Sequence, residues 1–475
     1  MTYDEAMRFI KEAEKLGSIP GLASITKLLE RLGNPQSELK IVHVAGTNGK
    51  GSTISYISGI LAAAGYRVGI YISPVVFSYR EKLQIVSSEE QTYNCNNENN
   101  NNIIANNISY DKDIPNNDFN DNNSLFYDLI SEEDVCKEIS SIKAACDEMV
   151  KEEQAHPTAF EIETAMAFLY MKNKRVDFLM LETGMGGRLD ATNVINNPIC
   201  SVITSVSLDH MHFLGNTIEQ IATEKAGIMK PNSCVISSLQ SPEALKVFHN
   251  RAKELAIPII IADSSQAVNI SYSDSFTTFE YPIVNGYGKY KIRMLGGYQV
   301  KNAINAITTA RCMIGMGYNI SEEAIRNGLW LTKWLGRFEQ ISSEPDIYID
   351  GAHNEDAALA LRDSIEIYFT NRRLVFMIGV LADKDYHSML RILAPIADTI
   401  ITLTPNNARA LTSEILAKEA MAYCSKVFDE KDVEHALRRA YKEAGMEDVI
   451  FAFGSLTFLG SLRSIVNVRK DDNHD

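Results

Sequence analysis

The stretch His43–Thr53, HVAGTNGKGST, decides the fold, because an apolar strand pattern over residues 40–46 runs there into a glycine-rich turn. A helical pattern, ISYISGILAAAG, follows directly at residues 54–65. The backbone N–H groups of such a turn and the N-terminus of the following helix form a cradle for anions. Lys50 can neutralise phosphate charge, and Ser52 can offer its hydroxyl to Mg²⁺. The stretch predicts a triphosphate site, although Gly51 between Lys50 and Ser52 departs from a strict Walker A pattern. A plain strand-to-helix turn with a nearby lysine is the alternative.

Apolar, β-rich runs alternate with helical patterns along most of the chain, which is typical of a parallel sheet covered by helices on both faces. The predicted strands before Gly296-Gly297 are 40–46, 66–72, 176–183, 199–206, 234–238 and 257–262, and those after it are 346–350, 373–380, 398–404 and 448–455. We therefore predict two α/β domains, residues 1–295 and 298–475. A segment with 14 Asn in the 30 residues 94–123 interrupts the first domain and is predicted to be a disordered surface insertion.

Composition excludes several classes of protein. A net charge of -15 argues against a nucleic-acid partner, because phosphate backbones are bound by cationic surfaces. The seven cysteines are scattered and contain no CxxC pair, which argues against a disulfide framework or a zinc site. The N-terminus reads as an amphipathic helix, and no apolar run approaches the roughly 20 residues of a membrane span. We expect a cytoplasmic protein with no membrane partner.

Two further strand ends carry polar residues. LETGMGGRLDATN (181–193) follows an apolar run and places Glu182 before a glycine-rich turn, and TSVSLDHM (204–211) places Asp209 and His210 at the end of another predicted strand. Ligands of open α/β sheets gather at the carboxyl ends of the strands, so Glu182 is placed to bind Mg²⁺ beside the glycine-rich turn. From spacing alone, His210 is more readily a structural histidine than a metal ligand.

Six motifs in order resemble one family. GTNGKGST, LETGMGGRLDATN, SLDHMHFLG, EKAGIMKP, LGRFE and DGAHN occur along the chain at residues 46–53, 181–193, 207–215, 224–231, 335–339 and 350–354. Together they resemble the folylpolyglutamate synthases and dihydrofolate synthases of the Mur ligase superfamily, over essentially the whole chain except the Asn-rich insertion. The resemblance implies an N-terminal P-loop ATPase domain and a C-terminal Rossmann-like domain that close over ATP.

The resemblance also implies site residues, of which Lys50, Lys225 and His210 would carry the catalytic chemistry. The ATP site would comprise Thr47, Asn48, Gly49, Lys50, Gly51, Ser52, Asn302, Arg337 and Asp350. Two Mg²⁺ sites would be formed by Ser52, Ser73, Glu182, His210 and Lys225, with Lys225 converted to a carbamate. Without the resemblance, Lys225 would be read as an ordinary helix lysine and Arg337 equally well as a surface arginine. The role of a monovalent cation stays open.

The resemblance places the folate or pteroate site at Ile19, Pro20, Phe160, Glu161, Arg188 and Asp190. An aromatic ring and a carboxylate suit a pterin, by stacking and by accepting its N–H donors. Two positions depart from the family pattern. Ser73-Pro74-Val75 stands where the family usually has SPH, and Gly297-Tyr298-Gln299 stands where it has GxHQ. The first departure affects the metal or pterin loop, and the second affects contacts to ATP or between the domains.

The activity that the resemblance implies is ATP-dependent ligation of L-glutamate to folates, and to dihydropteroate, through an acyl phosphate. The expected partners are therefore small molecules, and the expected oligomeric state is a monomer. Folylpolyglutamate synthesis alone and another Mur-type amino-acid ligase, such as one acting on a cell-wall nucleotide, are the enzyme alternatives. A nucleotide-dependent switch that hydrolyses ATP without glutamate is the alternative that is not a ligase.

Overall fold

The computed structural model describes residues 1–17, 19–88 and 124–472. The predicted Asn-rich insertion at 94–123 lies outside the described residues and stays a prediction. The ten strands predicted from the sequence are all present, with ends that differ by at most three residues. Within the described ranges, no helix is both long and apolar enough to span a bilayer.

The N-terminal domain is built on an eight-stranded sheet of order β4-β3-β2-β5-β1-β6-β7-β8. Its strands are β1 (Ile41–Ala45), β2 (Val68–Tyr71), β3 (Leu83–Ser87), β4 (Phe126–Leu129), β5 (Phe178–Glu182), β6 (Cys200–Ile203), β7 (Cys234–Ser238) and β8 (Ile259–Ala262). Strands β3 and β4 extend one edge in antiparallel fashion, and the rest of the sheet is parallel. The parallel strands align their carboxyl ends at one edge, which is where ligands bind in such sheets.

Helices cover both faces of this sheet. They are α1 (Tyr3–Glu14), α2 (Ala23–Arg31), α3 (Lys50–Ala63), α4 (Glu132–Lys151), α5 (Ala159–Asn173), α6 (Met211–Leu214), α7 (Ile218–Ala226) and α8 (Pro242–Leu255). Several begin at caps that the sequence encodes. Thr158 and Glu161, for example, form a reciprocal capping box that starts α5. Helix α3 packs on one face, while α1, α2, α4 and α5 share a separate apolar core on the other.

The elements that follow the boundary predicted at residues 295–298 pack with the N-terminal domain. A small antiparallel sheet of β9 (Val268–Tyr272), β10 (Thr277–Ile283) and β11 (Gly286–Ile292) leads into α9 (Gln299–Gly315) and α10 (Glu322–Leu331). Ile304 and Leu329 of these helices are fully buried in the same core as α3. Full burial of one such side chain contributes roughly 1.5–3 kcal/mol, so α9 and α10 belong to the N-terminal domain.

The C-terminal domain contains a six-stranded sheet of order β12-β13-β17-β14-β15-β16, parallel except for its edge strand β12. Its strands are β12 (Glu339–Ser343), β13 (Asp346–Ile349), β14 (Leu374–Ile378), β15 (Thr399–Thr402), β16 (Val427–Asp429) and β17 (Val449–Phe453). Its helices are α11 (Glu355–Tyr368), α12 (Tyr386–Leu393), α13 (Ser413–Ala420), α14 (Val433–Glu443) and α15 (Leu456–Asp472). Apolar cores on both faces complete the predicted α/β architecture.

Candidate active site

The glycine-rich turn lies at the carboxyl end of β1 and ends where α3 begins at Lys50. Gly49 has a left-handed φ of 84°, and a Cβ atom there would lie 2.5 Å from Oδ1 of Asn302. The close approach of Asn302 therefore requires glycine at this position. Lys50 Nζ donates to the carbonyl oxygens of Gly46 and Thr47, both at 3.2 Å, which folds its ammonium group back over the turn. The turn therefore has the strand-to-helix geometry that the sequence predicts, and its role as an anion cradle stays a prediction.

Three oxygen-bearing side chains gather beside Lys50. Glu182 ends β5, its Oε1 lies 3.8 Å from Lys50 Nζ, and its Oε2 accepts a hydrogen bond of 3.1 Å from the backbone N–H of Ser73. Burial raises the pKa of Glu182, while Lys50 opposes that rise. Ser52 and Ser73 line the same cavity as Glu182. Hydroxyl and carboxylate oxygens are the ligands that Mg²⁺ prefers, and a bound cation would compensate the buried charge of Glu182.

A second group of candidate ligands follows β6. His210 and Lys225 line the same cavity as the glycine-rich turn. Burial lowers the pKa of His210 below its usual value, which favours the neutral imidazole that binds metals. Lys225 is 2% exposed, and burial, followed by the positive charge of Lys50, lowers its pKa to about 7. A large fraction of Lys225 is therefore a neutral amine near neutral pH, the form that reacts with CO₂ to give a carbamate.

The C-terminal side of the cavity is formed by residues after α10. Arg337 and Asp350 line it together with Asn302 from α9. Asp350 is buried, and its carboxylate accepts hydrogen bonds from Tyr298 Oη at 2.7 Å and from the backbone N–H groups of Phe338 at 2.9 Å and Ala352 at 2.8 Å. Asp350 therefore holds the segment that carries Arg337. The sequence predicts Asp350 as an ATP contact, and the structure adds this supporting role.

These residues enclose one cavity of about 510 Å³ between the domains. All predicted ATP and metal residues line it: Thr47, Asn48, Gly49, Lys50, Gly51, Ser52, Ser73, Glu182, His210, Lys225, Asn302, Arg337 and Asp350. The side chain of Asn48 departs from the expected geometry, because its amide bonds to Asn354 and Asp356 of the C-terminal domain. A contact of the Asn48 side chain to the predicted triphosphate site would therefore have to compete with these bonds.

The six predicted folate residues are not among those that line this cavity. Phe160 stands directly behind it, stacked on Tyr71 at 6.2 Å between ring centroids and pressed against Gly184, which does line it. The exposed Ile19 and Pro20 precede Gly21, whose N–H donates to the carbonyl of Leu189. The predicted folate positions therefore surround the turn 184–190, one layer outside the cavity.

Glu161 and Asp190 have structural partners that the sequence did not predict. Both oxygens of Glu161 accept bonds from the chain, Oε2 from Thr158 and Oε1 from the N–H of Ile25 at 3.1 Å. The Asp190 carboxylate is buried and accepts bonds from the N–H of Met185 at 2.8 Å and from the hydroxyl of Thr192 at 2.5 Å. Glu161 thus holds α2, and Asp190 holds the turn that follows β5. A pterin that donated hydrogen bonds to either carboxylate would have to compete with these contacts.

Arg188 differs from both because its charge is solvent-facing. Its side chain is 54% exposed and pairs with Glu224 at 2.8 Å, next to Lys225 in the sequence. This pair joins the glycine-rich turn after β5 to the end of α7. A ligand that uses the Arg188 guanidinium has to compete with Glu224.

The sequence did not identify Lys384, His353 and Arg409 of the C-terminal domain as site residues. Lys384 Nζ lies 3.3 Å from Oδ1 of Asp209, and the His353 ring lies 3.9 Å from Oδ2. Although burial alone would raise it, Lys384, His210 and His353 hold the pKa of Asp209 well below its usual range. Lys384 and Arg409 follow β14 and β15, so the strand-end rule applied to the second predicted sheet could have identified this region.

Comparisons with known proteins identify the family. Residues 123–310 match the family model described as Mur ligase middle domain, and residues 336–456 match the one described as Mur ligase, glutamate ligase domain. The chain is 32% identical to the dihydrofolate synthase/folylpolyglutamate synthase of Bacillus subtilis, over 97% of this chain and 98% of that protein. It is 30% identical to the folylpolyglutamate synthase of Lacticaseibacillus casei, over 86% of this chain and 87% of that protein.

Solved structures agree with the sequence comparisons. The folylpolyglutamate synthase of Thermotoga maritima superposes with a TM-score of 0.77 at 32% identity, covering 98% of this chain and 96% of that one. That of Mycobacterium tuberculosis, complexed with ADP and AMPPCP, gives 0.81 at 26% identity, covering 98% and 99%. The fold therefore matches over nearly the whole length of each chain. The chain therefore belongs to the dihydrofolate synthase/folylpolyglutamate synthase family of ATP-dependent ligases in the Mur ligase superfamily.

Proposed function

We propose that the chain joins L-glutamate to the carboxylate of a folate, and also of dihydropteroate, with cleavage of ATP to ADP and phosphate. The observation that carries the proposal is the convergence of Lys50, Glu182, Lys225 and Arg337 on one interdomain cavity. A related folylpolyglutamate synthase structure, 27% identical with a TM-score of 0.77, is described as an AMPPCP-folate complex. The likeness supports a cavity of this type as the place where nucleotide and acid meet.

The chemistry requires activation of the acid, because amide formation from a carboxylate is uphill in water. A carboxylate oxygen of the acceptor attacks the γ-phosphorus of ATP, the bond to the ADP oxygen breaks, and an acyl phosphate forms. The glutamate amino group then attacks the acyl carbon, loses a proton and expels phosphate. Lys50 and Arg337 would stabilise the negative charge on the transferred phosphoryl group.

Mg²⁺ fits the donor set on the N-terminal side. Ser52, Ser73 and Glu182 would hold one ion, and His210 with carbamylated Lys225 would hold a second. When bound, these ions supply charge neutralisation at the phosphates. Carbamylation joins the neutral amine of Lys225 Nζ to the carbon of CO₂ and releases one proton, which leaves an anionic oxygen ligand. Counted from the ammonium form of Lys225, two protons are released.

Glutamate needs cationic contacts for its carboxylates, and the C-terminal domain offers them. Lys384 and Arg409, both from the C-terminal domain, line the cavity. Lys384 is paired with Asp209, and Arg409 is paired with Asp383 at 3.3 Å. When glutamate binds, its carboxylates would replace these aspartates or share the cations with them. We propose that these two residues orient the amino acid towards the acyl phosphate.

Product masses decide between the acceptors. The purified protein would be incubated with ATP, Mg²⁺ and L-glutamate, with dihydropteroate and tetrahydrofolate in separate reactions. We expect a mass gain of one glutamyl residue on both acceptors and ADP formation that depends on glutamate. A gain on tetrahydrofolate alone would restrict the function to folylpolyglutamate synthesis. A gain on neither acceptor would refute the proposed substrate class and favour another Mur-type ligase or a nucleotide switch.

We also propose a cytoplasmic location and a monomeric state. The six described cysteines are free thiols, which suits a reducing cytoplasm. A monomer is consistent with a cavity that the two domains of one chain enclose between them. Size-exclusion chromatography with light scattering would test the oligomeric state, and a dimer mass would refute the monomer.

A further inference from the structure

The side chain of Asn48 connects the phosphate-binding turn to the other domain. Its Nδ2 donates to Oδ2 of Asp356 at 2.9 Å and to Oδ1 of Asn354 at 3.1 Å. Its Oδ1 accepts from Nδ2 of Asn354 at 3.1 Å. Both ends of the Asn48 amide are thus used by residues more than 300 positions away in the chain.

The backbone of Asn48 is fixed from within its own domain. Its N–H donates to Ser205 Oγ at 3.2 Å, and its carbonyl accepts from Thr204 Oγ1 at 2.7 Å. The main chain of Asn48 is therefore bonded to residues that follow β6, whereas its side chain is bonded to the C-terminal domain. A shift of the C-terminal domain cannot be absorbed by moving Asn48 alone.

The partners of Asn48 lie at the first turn of α11. Asn354 is the N-cap of that helix, with Oδ1 accepting from the N–H of Ala357 at 2.9 Å. Its Nδ2 also donates to Asp209 at 3.1 Å. Asp356 accepts a second bond from Ser207 Oγ at 3.4 Å. Hydrogen bonds weaken steeply beyond about 3.5 Å, so a small rotation of α11 would break the whole set together.

We propose that Asn48, Asn354 and Asp356 form an interdomain latch that couples closure of the second domain to the phosphate-binding turn. The inference rests on the proposed function. An acyl phosphate is lost to water unless glutamate is already enclosed with it, and closure excludes water from such a site. The latch holds the two domains together at the turn itself. Asp356 is then a positioning residue that acts through Asn48.

Matched variants of Asp356 test the latch. Asp356→Ala removes the acceptor, whereas Asp356→Asn keeps an oxygen that can accept from Asn48. Asp363→Ala changes an exposed carboxylate two turns further along α11 and serves as the control. ADP and glutamylated product would be measured in the same reactions, together with the KM for ATP and the melting temperature of each variant.

The latch predicts that wild type, Asp356→Asn and Asp363→Ala form equal amounts of ADP and amide. Asp356→Ala should form an excess of ADP over amide of about tenfold or more, the change that loss of one hydrogen bond to a charged group produces. Ser207→Ala, which keeps Asp356, should show a smaller excess in the same direction. Equal ADP and amide in Asp356→Ala would overturn the proposal, as would an equal excess in the Asp363→Ala control.

A second measurement needs no acceptor and therefore separates the latch from the proposed function. Small-angle X-ray scattering with Mg²⁺ and AMPPCP should give a larger radius of gyration for Asp356→Ala than for Asp356→Asn. Identical radii would overturn the latch whatever the substrate is. If the wild type forms no amide with either acceptor, the proposed function fails, and the scattering comparison still decides the latch.

Discussion

Lys50, at the start of α3, lies beside Glu182, at the end of β5, with 3.8 Å between Lys50 Nζ and Glu182 Oε1. Val44 of β1 is in register with Glu182 of β5, so the two side chains reach the same edge of the sheet. The cation and the anion lie at the mouth of the anion cradle. One is placed to contact phosphate and the other a divalent cation, and the pair defines the reactive end of the cavity.

Replacement of Lys50 should abolish ligation while the fold is retained. We expect Lys50→Ala to lower kcat by about 10²–10³, the loss that follows removal of one group that stabilises developing charge. Lys253→Ala, at an exposed position of α8, is the matched control and should keep full activity. Normal turnover of Lys50→Ala, measured as ADP release in the presence of glutamate, would refute the phosphate role of this lysine.

Removal of the Glu182 charge should weaken the dependence on Mg²⁺ more than the affinity for the folate. Glu182→Gln keeps the shape of the side chain and should raise the Mg²⁺ concentration for half-maximal activity by about tenfold or more. His210→Ala should act in the same direction. The measurement is a Mg²⁺ titration at saturating ATP with the folate KM determined in parallel. A changed folate KM with unchanged Mg²⁺ dependence would mean that the two pockets are exchanged.

Activity should fall as the pH drops below the pKa of Lys225. Burial and Lys50 lower that pKa to about 7, so the amine is mostly neutral above this pH and mostly an ammonium below it. Only the neutral amine forms the carbamate, and its fraction falls about tenfold for each pH unit below the pKa. Added bicarbonate should therefore restore part of the activity near pH 6, and Lys225→Arg should be inactive and insensitive to it. A pH profile that bicarbonate leaves unchanged would exclude the carbamate.

The bond from Tyr298 to Asp350 should tune the nucleotide contact of the C-terminal domain. Tyr298→Phe removes one of the donors to a buried carboxylate and should raise the KM for ATP by about fivefold or more. Tyr298→His introduces the residue that the family usually carries here and retains a donor, so its KM should stay closer to that of the wild type. Identical ATP kinetics for the Phe variant and the wild type would show that Asp350 needs no bond from Tyr298.

The positions of residues that follow strand ends could be predicted from local sequence. His43–Thr53 and LETGMGG each join a strand end to a turn, and the ends of parallel strands meet at one edge of the sheet. The proximity of Lys50 and Glu182 could therefore be predicted. The end of the first domain could not be predicted from local sequence, because it depends on the long-range packing of Ile304 and Leu329 against α3. The partner of Asn48 could not be predicted either, since Asp356 lies on the other domain and nothing in its local pattern points across the cleft.

For the folate candidates, residue type suggested a ligand contact but did not reveal the partners within the chain. Glu161 and Asp190 have residue types that suit a pterin, but their carboxylates are already used by the backbone N–H groups of Ile25 and Met185. A capping box beginning at Thr158 is visible in the sequence and could have indicated the local role of Glu161. The contact to Ile25 depends on how α2 packs on α5, which the sequence pattern does not specify.

Transfer of ¹⁸O from the acceptor carboxylate tests most directly that the acid is activated by phosphorylation. Acceptor labelled in both carboxylate oxygens would be incubated with the enzyme, ATP, Mg²⁺ and glutamate, and the phosphate released would be analysed by mass spectrometry. The account predicts one ¹⁸O atom in each phosphate formed, because the oxygen that attacks the γ-phosphorus leaves with it. Phosphate without ¹⁸O, formed alongside the amide, would contradict the acyl phosphate and the roles assigned to Lys50 and Arg337.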